Sequence, residues 1–314
     1  MPHRFRVPRR APALLLGAAL LTGLLAGCGS SSKKSSSGAS TAAPPGSMNA
    51  MAKGRSEYSL VQAEESLPVG KSRFVFGLIP QGGKPKVGGS PLVYVAKKPT
   101  DKPLGPFHAT WQAFSAPRGD AQGAPPFPGF FVAEVDIPSP GNWGILATDT
   151  DNGQPIGGTA GIPVKAQVPA ALGSKAISEP TPVATTPDEA AKIDTREPPS
   201  PMHYISLDAA LQNGKPTVLV FATPLLCESR LCGPVVDEVY GVYDQVGVTR
   251  ANFVDVEIYP ERDTNKPAEA FTRWGFQSEP WVLVIDKDGV IRGRFEGPST
   301  AGEITAALQP LLGP

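Results

Sequence analysis

Apolar side chains recur at every second position over much of the first half of the chain. In Phe131–Ile137 this alternation sets the apolar residues against Glu134 and Asp136 on the opposite side of the chain. A period of two predicts a strand with one buried face and one face in water. The same pattern predicts six strands, at Phe74–Ile79, Pro91–Val95, His108–Phe114, Phe130–Ile137, Trp143–Thr148 and Ile162–Val168. Residues 57–168 are therefore expected to form an all-β domain.

Glycine and proline clusters lie between these predicted strands. Gly82-Gly83, Gly88-Gly89 and the stretch 138–141 mark turns. Six or seven short strands with turns at this spacing are similar to an immunoglobulin-like sandwich, in which two antiparallel sheets pack face to face. The fold expected for residues 57–168 is therefore an immunoglobulin-like β-sandwich.

From Ser206 onward, stretches with helical period alternate with short apolar strands. Thr217–Ala222 is apolar at almost every position, which is typical of a strand buried on both faces. The predicted elements are a helix at Leu207–Gln212, a strand at Thr217–Ala222, a helix that ends at Gly247, a strand at Phe253–Tyr259, a helix at Pro267–Trp274, strands at Trp281–Ile285 and Val290–Phe295, and a last helix capped by Thr300 and Glu303. This order predicts an α/β domain over residues 206–314 of a multidomain chain.

The first 28 residues have the pattern of an export signal. Four arginines precede the apolar run Ala11–Ala26, which is short for crossing a bilayer. The run leads into Leu25-Ala26-Gly27-Cys28, which resembles the lipobox of bacterial lipoproteins. The resemblance implies a signal peptide over residues 1–27, cleavage before Cys28 and attachment of a diacylglyceryl group to its sulfur. The protein is then expected to be extracytoplasmic and anchored to the cell membrane through lipidated Cys28.

Two stretches have compositions that do not favour a packed core. Residues 28–56 begin with a run rich in Ser and Lys, which predicts a flexible tether. Residues 169–205 are rich in Pro, Ala, Thr and Ser, and their repeated prolines interrupt helix and sheet. We expect this second stretch to be a linker between the two folded domains, with His203 exposed to solvent.

The charges of the whole chain balance, with 29 Lys and Arg residues against 29 Asp and Glu residues. This balance gives no support to a nucleic-acid partner, because such a partner requires a basic surface. An apolar content of 40% is sufficient for packed cores. No cofactor or resident metal is expected from the sequence.

The three cysteines of the chain carry its candidate chemistry. Once Cys28 is lipidated, Cys227 and Cys232 are the only free thiols, in a compartment where disulfides persist. A disulfide between them closes a short loop, and short loops contribute little stability. A thiol at a helix N-terminus is in contrast activated, because the helix dipole stabilises the thiolate. The pair is therefore interpreted as redox-active, with a static structural bridge as the alternative.

Two motifs resemble those of thioredoxin-like proteins. Cys232-Gly233-Pro234 lies between the first core strand and the following helix, where that family carries Cys-Gly-Pro-Cys. Pro280 directly precedes the strand Trp281–Ile285, where the family has a cis-proline beside the active site. The resemblance covers about residues 206–312. It implies a thioredoxin-like fold in which these residues support the reactive cysteines and the peptide bond before Pro280 is cis.

The motif departs from the family in the second cysteine. Val235 occupies that position, and the partner thiol is Cys227, five residues upstream of Cys232. Cys232 matches the attacking position by its Gly-Pro neighbours, whereas Cys227 attacks if the helix begins earlier, so both assignments stay open. The buried acid that many thioredoxins carry on the first core strand has no counterpart within Thr217–Phe221. Proton transfer therefore requires a different group.

A second thioredoxin-fold family shares part of the cysteine motif. Peroxiredoxins of the Q type hold two cysteines five residues apart after a Thr-Pro pair, and Thr223 and its following proline precede Cys227 here, one residue too early. That resemblance implies that Cys227 attacks peroxide, Thr223 binds the substrate and Cys232 resolves the intermediate. It also requires a nearby arginine such as Arg273.

Copper-handling proteins of the Sco type also carry paired cysteines at this place. They require a histidine late in the domain, and no histidine follows Cys232 in this chain. A site of two thiolates and one imidazole would need His203, or Met202 as a soft substitute, to fold back from the linker. The sequence does not favour this arrangement.

These patterns together predict a membrane-anchored thiol-disulfide oxidoreductase. The Cys227–Cys232 pair would exchange electrons with cysteine pairs on other exported proteins. The alternatives are a thiol peroxidase resembling Q-type peroxiredoxins and a non-enzymatic binding or scaffold lipoprotein with a static bridge. In each case the β-domain would position the protein or contact a partner.

Overall fold

The computed structural model describes residues 43–117, 125–261, 264 and 266–313. The predicted signal peptide, the predicted lipidation site Cys28 and the first part of the predicted tether lie outside the described residues. The described tether residues include a short helix, α1 (Met48–Ala52), which is capped by Ser47. No helix within the described ranges is long and apolar enough to cross a membrane.

The first half of the described chain is a single large sheet. Its strands are β1 (Ser56–Gln62), β2 (Leu67–Pro68), β3 (Gly70–Pro80), β4 (Leu92–Ala96), β5 (Leu104–Ala113), β6 (Gly129–Ile137), β7 (Gly141–Asp151) and β8 (Gln154–Lys165). The strand order is β1-β3-β6-β5-β4-β7-β8, with the short strand β2 attached to β8. Strand β1 also pairs with β8, so the seven long strands close into a barrel.

The expected immunoglobulin-like sandwich is therefore wrong. Strand β1 pairs antiparallel with β3 along one edge and parallel with β8 along the other, with Ser56 opposite Ile156. The same sheet thus curves around one apolar interior, and among the described residues no second sheet packs against it face to face. The alternating pattern correctly predicted half-buried strands such as β6, but it does not record which strand lies on each edge. The sequence interpretation also missed β1, because most of its side chains are exposed or half-exposed.

The second half of the chain contains a four-stranded mixed sheet with helices on both faces. Its elements, after the single-turn helix α2 (Pro187–Ala190), are α3 (Leu207–Ala210), β9 (Thr217–Ala222), α4 (Cys232–Val246), β10 (Asn252–Glu257), α5 (Glu269–Trp274), β11 (Trp281–Ile285), β12 (Ile291–Glu296) and α6 (Ala301–Leu308). The sheet order is β10-β9-β11-β12, with only β10 and β9 parallel. The predicted capping box at the start of α6 is present, formed by Thr300 and Glu303.

Strand β9 lies at the centre of two apolar layers. Its residues Val218 and Val220 face α4 and α6, whereas Leu219 and Phe221 face α3 and α5. All six residues of β9 are buried, as the continuous apolar run predicted. This placement puts the end of β9, and the loop that follows it, at the start of helix α4.

Polar contacts join the barrel to the α/β half. The guanidinium of Arg73 on β3 donates to both carboxylate oxygens of Glu303, at 2.7 and 3.0 Å. Buried Glu238 of α4 accepts from the backbone N–H of Ser115 at 2.5 Å and from that of Ala301 at 2.7 Å. Residues 43–314 fall into one compact unit. The barrel is therefore held against the helix that begins at Cys232.

The stretch 169–205 packs against the α/β half. The N–H of Gly173 donates to the carbonyl of Ile291, and the N–H of Ile291 donates to Ser174, both at 2.9 Å. His203 is only 3% exposed, so the expectation that it is a solvated residue is wrong. Its Nε2 lies 3.1 Å from Oδ2 of Asp194, and this partner explains how a polar side chain is buried there.

Candidate active site at the cysteine pair

The loop between β9 and α4 folds Cys227 back towards the start of the helix. The N–H of Cys227 donates to the carbonyl of Thr223 at 3.0 Å, and the N–H of Arg230 donates to the carbonyl of Cys227 at 3.0 Å. Arg230 adopts a positive φ of 59°, which reverses the chain just before α4. Helix α4 then begins at Cys232. The two successive turns bring the two cysteines together.

The sulfur of Cys227 lies among hydrogen-bond donors. The backbone N–H of Cys232 donates to it at 3.4 Å, and Ser229 Oγ lies 3.2 Å away. The pKa of Cys227 is lowered to about 6, first by the hydrogen bond from the Cys232 thiol and also by Ser229 and the first N–H groups of the helix, against the opposing effect of burial. Cys227 is thus mainly a thiolate at neutral pH.

Cys232 has the opposite character. It is fully buried as the first residue of α4, and burial raises its pKa well above the usual range of a thiol. The thiol hydrogen of Cys232 is held towards Cys227, since the hydrogen bond between them stabilises the Cys227 thiolate. Both are free thiols in this structure. The geometry therefore identifies Cys227 as the more nucleophilic of the pair, a choice that the sequence left open.

The supporting residues named from the motif surround the start of α4. Gly233 is buried in the first turn, and Pro234 follows it, where a missing N–H costs no helical hydrogen bond. Val235 is fully buried in the apolar layer between α4 and the sheet. The peptide bond before Pro280 is cis, as predicted, and Pro280 is buried at the start of β11.

Glu279 is a candidate site residue that the sequence interpretation missed. Its side chain is half-buried beside the cysteine loop, where it lines a cleft with Glu228 and Ser229. Burial, and then the charge of the Cys227 sulfur, raise its pKa to about 7. A carboxyl group with this pKa can take up or release a proton near neutral pH. Its position directly before Pro280 was the available signal.

Glu257 is a second acid that the sequence did not indicate. It is buried at the end of β10, opposite Ala222 of β9, and burial raises its pKa. Thr195 donates to its Oε2 through the hydroxyl at 2.5 Å, and the same hydroxyl accepts from the N–H of Leu225 at 3.1 Å. Glu257 alternates with apolar residues in the sequence, a pattern typical of a strand with one face in water, whereas every residue of β10 is buried. The acid is thus connected to the cysteine loop through Thr195.

The residues required by the peroxidase hypothesis are only partly present. Thr223 is fully buried at the end of β9, where its hydroxyl lies beside the Glu257 carboxylate. Arg273 lies on α5 and forms an ion pair with Glu179, with 3.7 Å between Nε and Oε2. The arginine is therefore engaged by a carboxylate of the stretch 169–205.

A buried group of Asp194, His203 and Asp255 has its ligand atoms within 4.8 Å of one another. The oxygens of Asp194 accept from two backbone N–H groups, those of Arg196 and Ser200, both at 2.7 Å. This pattern is that of a hydrogen-bonded network. Within the described ranges, no group of three such ligand atoms includes either cysteine. The arrangement of two thiolates and the His203 imidazole is thus not formed, although Met202 packs in the same apolar layer as the cysteines.

Comparisons with known proteins give little beyond this geometry. No protein-family model matches the chain, and no curated protein matches it. One similar solved structure is that of a thiol:disulfide interchange protein, a thioredoxin family protein from Chlorobium tepidum TLS. It is 19% identical and aligns over 44% of this chain and 100% of its own, with a TM-score of 0.27. A similarity at this level carries no argument, so the function is argued from the site.

Proposed function

We propose that the protein is a thiol-disulfide oxidoreductase that acts through Cys227 and Cys232. The observation that carries the proposal is the asymmetry of the pair. The Cys227 sulfur accepts hydrogen bonds at the start of α4 and has a pKa of about 6, whereas Cys232 is buried and protonated. A thiolate next to a protonated resolving thiol is the arrangement that exchange chemistry requires.

The reaction with a disulfide substrate proceeds in two displacements. The Cys227 thiolate attacks one substrate sulfur, a Cys227–substrate disulfide forms, and the other substrate sulfur leaves with the electron pair. Cys232 then loses its proton, attacks the Cys227 sulfur and releases the second substrate thiolate. Two electrons pass from the protein to the substrate, and the Cys227–Cys232 disulfide is left. The reverse sequence oxidises a substrate dithiol.

Glu279 is suited to handle the proton in the second displacement. It lies beside Cys227 and its pKa is about 7, which allows it to accept the proton that Cys232 gives up. After the Cys227 thiolate is consumed, one negative charge beside Glu279 disappears. The carboxylate form of Glu279 is therefore favoured after the first displacement. In this form Glu279 can accept the proton of Cys232 during the second displacement.

The cellular setting is part of the same proposal. The lipobox-like stretch that ends at Cys28 supports a lipid-anchored, extracytoplasmic protein. In that compartment the partners would be exported proteins with cysteine pairs. Radiolabelled palmitate incorporation into the full chain tests the anchor. A Cys28→Ser chain that still incorporates the label would contradict it.

The test of the activity is a redox titration of the protein in glutathione buffers, read by trapping free thiols. We expect a single two-electron transition at a potential above about −300 mV, because structural disulfides are generally reduced only below that range. A potential far below it would indicate a static bridge and the scaffold alternative. Consumption of hydrogen peroxide at a rate comparable to disulfide exchange would indicate the peroxidase alternative.

A further inference from the structure

Two depressions lie on either side of the cysteine loop. The apolar groove, of about 340 Å³, lies between the barrel and the loop and is lined chiefly by Val61, Phe76, Trp111, Phe127, Phe130 and Leu231. The acidic cleft, of about 510 Å³, lies beside the loop and is lined by residues that include Glu228, Tyr259 and Gln277. Ser229 and Glu279 line both depressions. The two therefore form one continuous surface that changes from apolar to acidic.

The reactive sulfur lies at the junction of these two surfaces. Ser229, which both depressions share, has its Oγ 3.2 Å from the Cys227 sulfur. Leu231 lines the apolar groove, and its backbone N–H is one of the donors to that same sulfur. Cys227 itself is only 6% exposed and lies behind Ser229, so a molecule that spans the groove and the cleft binds next to its sulfur.

The apolar groove offers hydrophobic surface that the protein leaves open. Val61 on β1 is 52% exposed, and Trp111 and Phe127 are only partly buried. These side chains come from the barrel, while Leu231 comes from the cysteine loop. A bulky apolar side chain that enters the groove would remove this surface from water, which is favourable.

The acidic cleft has an uncompensated negative charge. It contains Glu228 and Glu279, and among the described residues no Lys, Arg or His lines it. The Cys227 thiolate adds a negative charge beside the cleft. A Lys or Arg side chain placed in the cleft would be attracted to the Glu228 carboxylate and to this thiolate, and it would favour the charged form of Glu279, whose pKa is about 7.

We infer that the preferred substrate, given the proposed function, is an extended polypeptide segment in which the reactive cysteine lies between a bulky apolar side chain and a basic one. The apolar side chain binds the groove, the basic side chain binds the cleft, and the cysteine sulfur meets Cys227. A polypeptide fits because only a chain that continues on both sides of a cysteine reaches both surfaces. The barrel thus contributes directly to substrate selection.

The test uses short synthetic peptides whose cysteine carries a 2-thiopyridyl disulfide. The Cys227 thiolate attacks the peptide sulfur, a Cys227–peptide disulfide forms, and the thiopyridyl sulfur leaves with the electron pair and takes a proton from water. The absorbance of the released 2-thiopyridone gives the rate. The peptides are Ser-Trp-Cys-Lys-Ser, its reversed order, and versions with Ser for Trp or Glu for Lys. Each rate is divided by the rate with di-2-pyridyl disulfide, which reports thiol reactivity alone.

We expect the better of the two orders to react about tenfold faster than its Ser version and its Glu version, since each subsite contributes a modest preference. Val61→Asp should remove the preference for Trp, because the groove then carries a charge. Glu228→Lys should reverse the preference between Lys and Glu. Val183→Asp and Glu57→Lys are matched controls, since Val183 is 46% exposed and Glu57 is exposed, and neither lines the groove or the cleft.

The experiment distinguishes failure of the substrate inference from failure of the proposed function. If wild-type protein reacts with all peptides at one relative rate, or if Val183→Asp loses the preference as Val61→Asp does, the substrate inference is wrong and the exchange activity stands. If neither the peptides nor di-2-pyridyl disulfide react faster than with an ordinary exposed thiol, the proposed function fails as well.

Discussion

The barrel and the α/β half bury different kinds of residue. The barrel core consists of apolar side chains, including Phe74, Phe131 and Ile145, and the buried carboxyl of Glu64 lies at its edge. The α/β half also encloses ionisable groups, among them Cys232 and Glu257. The difference follows from the two architectures. In a closed sheet the backbone N–H and C=O groups of each strand are hydrogen-bonded to the neighbouring strands. The loop between a strand and a helix, in contrast, leaves free N–H groups at the start of the helix, and these groups can stabilise a thiolate.

The comparison assigns different tasks to the two halves. The α/β half supplies the reactive sulfur and its hydrogen-bond donors. The barrel supplies one wall beside it, through Val61 and Trp111, and is held in place by the pairing of Arg73 with Glu303. Under the proposed function, the exchange chemistry and the substrate selection are thus divided between two packed units.

The largest expected effect concerns the reactive pair. Cys227→Ser should reduce disulfide exchange by about a thousandfold or more, since a hydroxyl at this site has no thiolate character. Cys232→Ser should retain the first displacement and accumulate the mixed disulfide, because the resolving thiol is absent. Mass spectrometry of the protein after reaction with a disulfide peptide distinguishes them. Accumulation of the adduct in Cys227→Ser would reverse the assignment of the two thiols.

A pair of core substitutions tests whether the halves fold together. Phe131→Ala in the barrel and Phe221→Ala in β9 each remove a fully buried ring, and each should lower the free energy of unfolding by about 4 kcal/mol. Urea unfolding is followed by tryptophan fluorescence and by labelling of the cysteines. We expect both variants to shift both signals equally. A Phe131→Ala protein in which the thiols keep wild-type protection would show that the halves unfold separately.

The buried carboxyl of Glu64 tests the polar edge of the barrel. It accepts the N–H of Val75 at 2.9 and 3.1 Å, and burial raises its pKa to about 8. Because the folded pKa lies above the unfolded value of 4.5, its stabilising effect is complete below pH 4.5 and is lost as the pH rises through 8. Glu64→Gln keeps an acceptor for Val75 and removes the titration.

The Glu64→Gln variant should therefore lose less stability between pH 5 and pH 8.5 than the wild type, by roughly 4 kcal/mol. Urea midpoints across this pH range measure the difference. Glu57→Gln, on the exposed part of β1, is the control and should follow the wild type. If the urea midpoints of Glu64→Gln and of the wild type change equally with pH, the Glu64 side chain is not a buried, protonated carboxyl.

The smallest expected effect concerns the hydroxyl beside the reactive sulfur. Ser229 stabilises the Cys227 thiolate, so Ser229→Ala should raise the pKa of Cys227 from about 6. Alkylation by iodoacetamide at pH 6 should then slow about threefold, while rates at pH 9 converge because the thiolate is complete in both proteins. Ser115→Ala, which removes a hydroxyl at the junction with α4, is the control for a general loss of stability. A pH profile of Ser229→Ala that overlays the wild type would remove Ser229 from the site.

Several predictions from the sequence depended on local pattern and were confirmed. The bounds of β9 and β11, the capping box of α6, and the end of α4 at Gly247 agree with the structure. A continuous apolar run, a Thr with Glu three residues later, and a glycine after a helical pattern each act within one or two turns of chain. Such signals do not depend on distant residues.

Closure of the barrel was not available from the sequence. Pairing of β1 with β8 joins residues about a hundred positions apart, such as Ser56 and Ile156, and the period of two is the same in an open and a closed sheet. The buried position of His203 was hidden for a similar reason. Its partner Asp194 lies in a stretch whose composition indicates a linker, and only the folded chain surrounds both with the α/β half.

The sequence by itself determined that two thiols lie beside a Gly-Pro turn at the start of a helix, because motif and spacing are local. Only the tertiary structure decided which of the two thiols has the lower pKa. The answer depends on where the loop places each sulfur: Cys227 among N–H and hydroxyl donors, Cys232 beneath them in the core. Solvation and hydrogen bonding control thiol pKa, and both are properties of the packed surroundings.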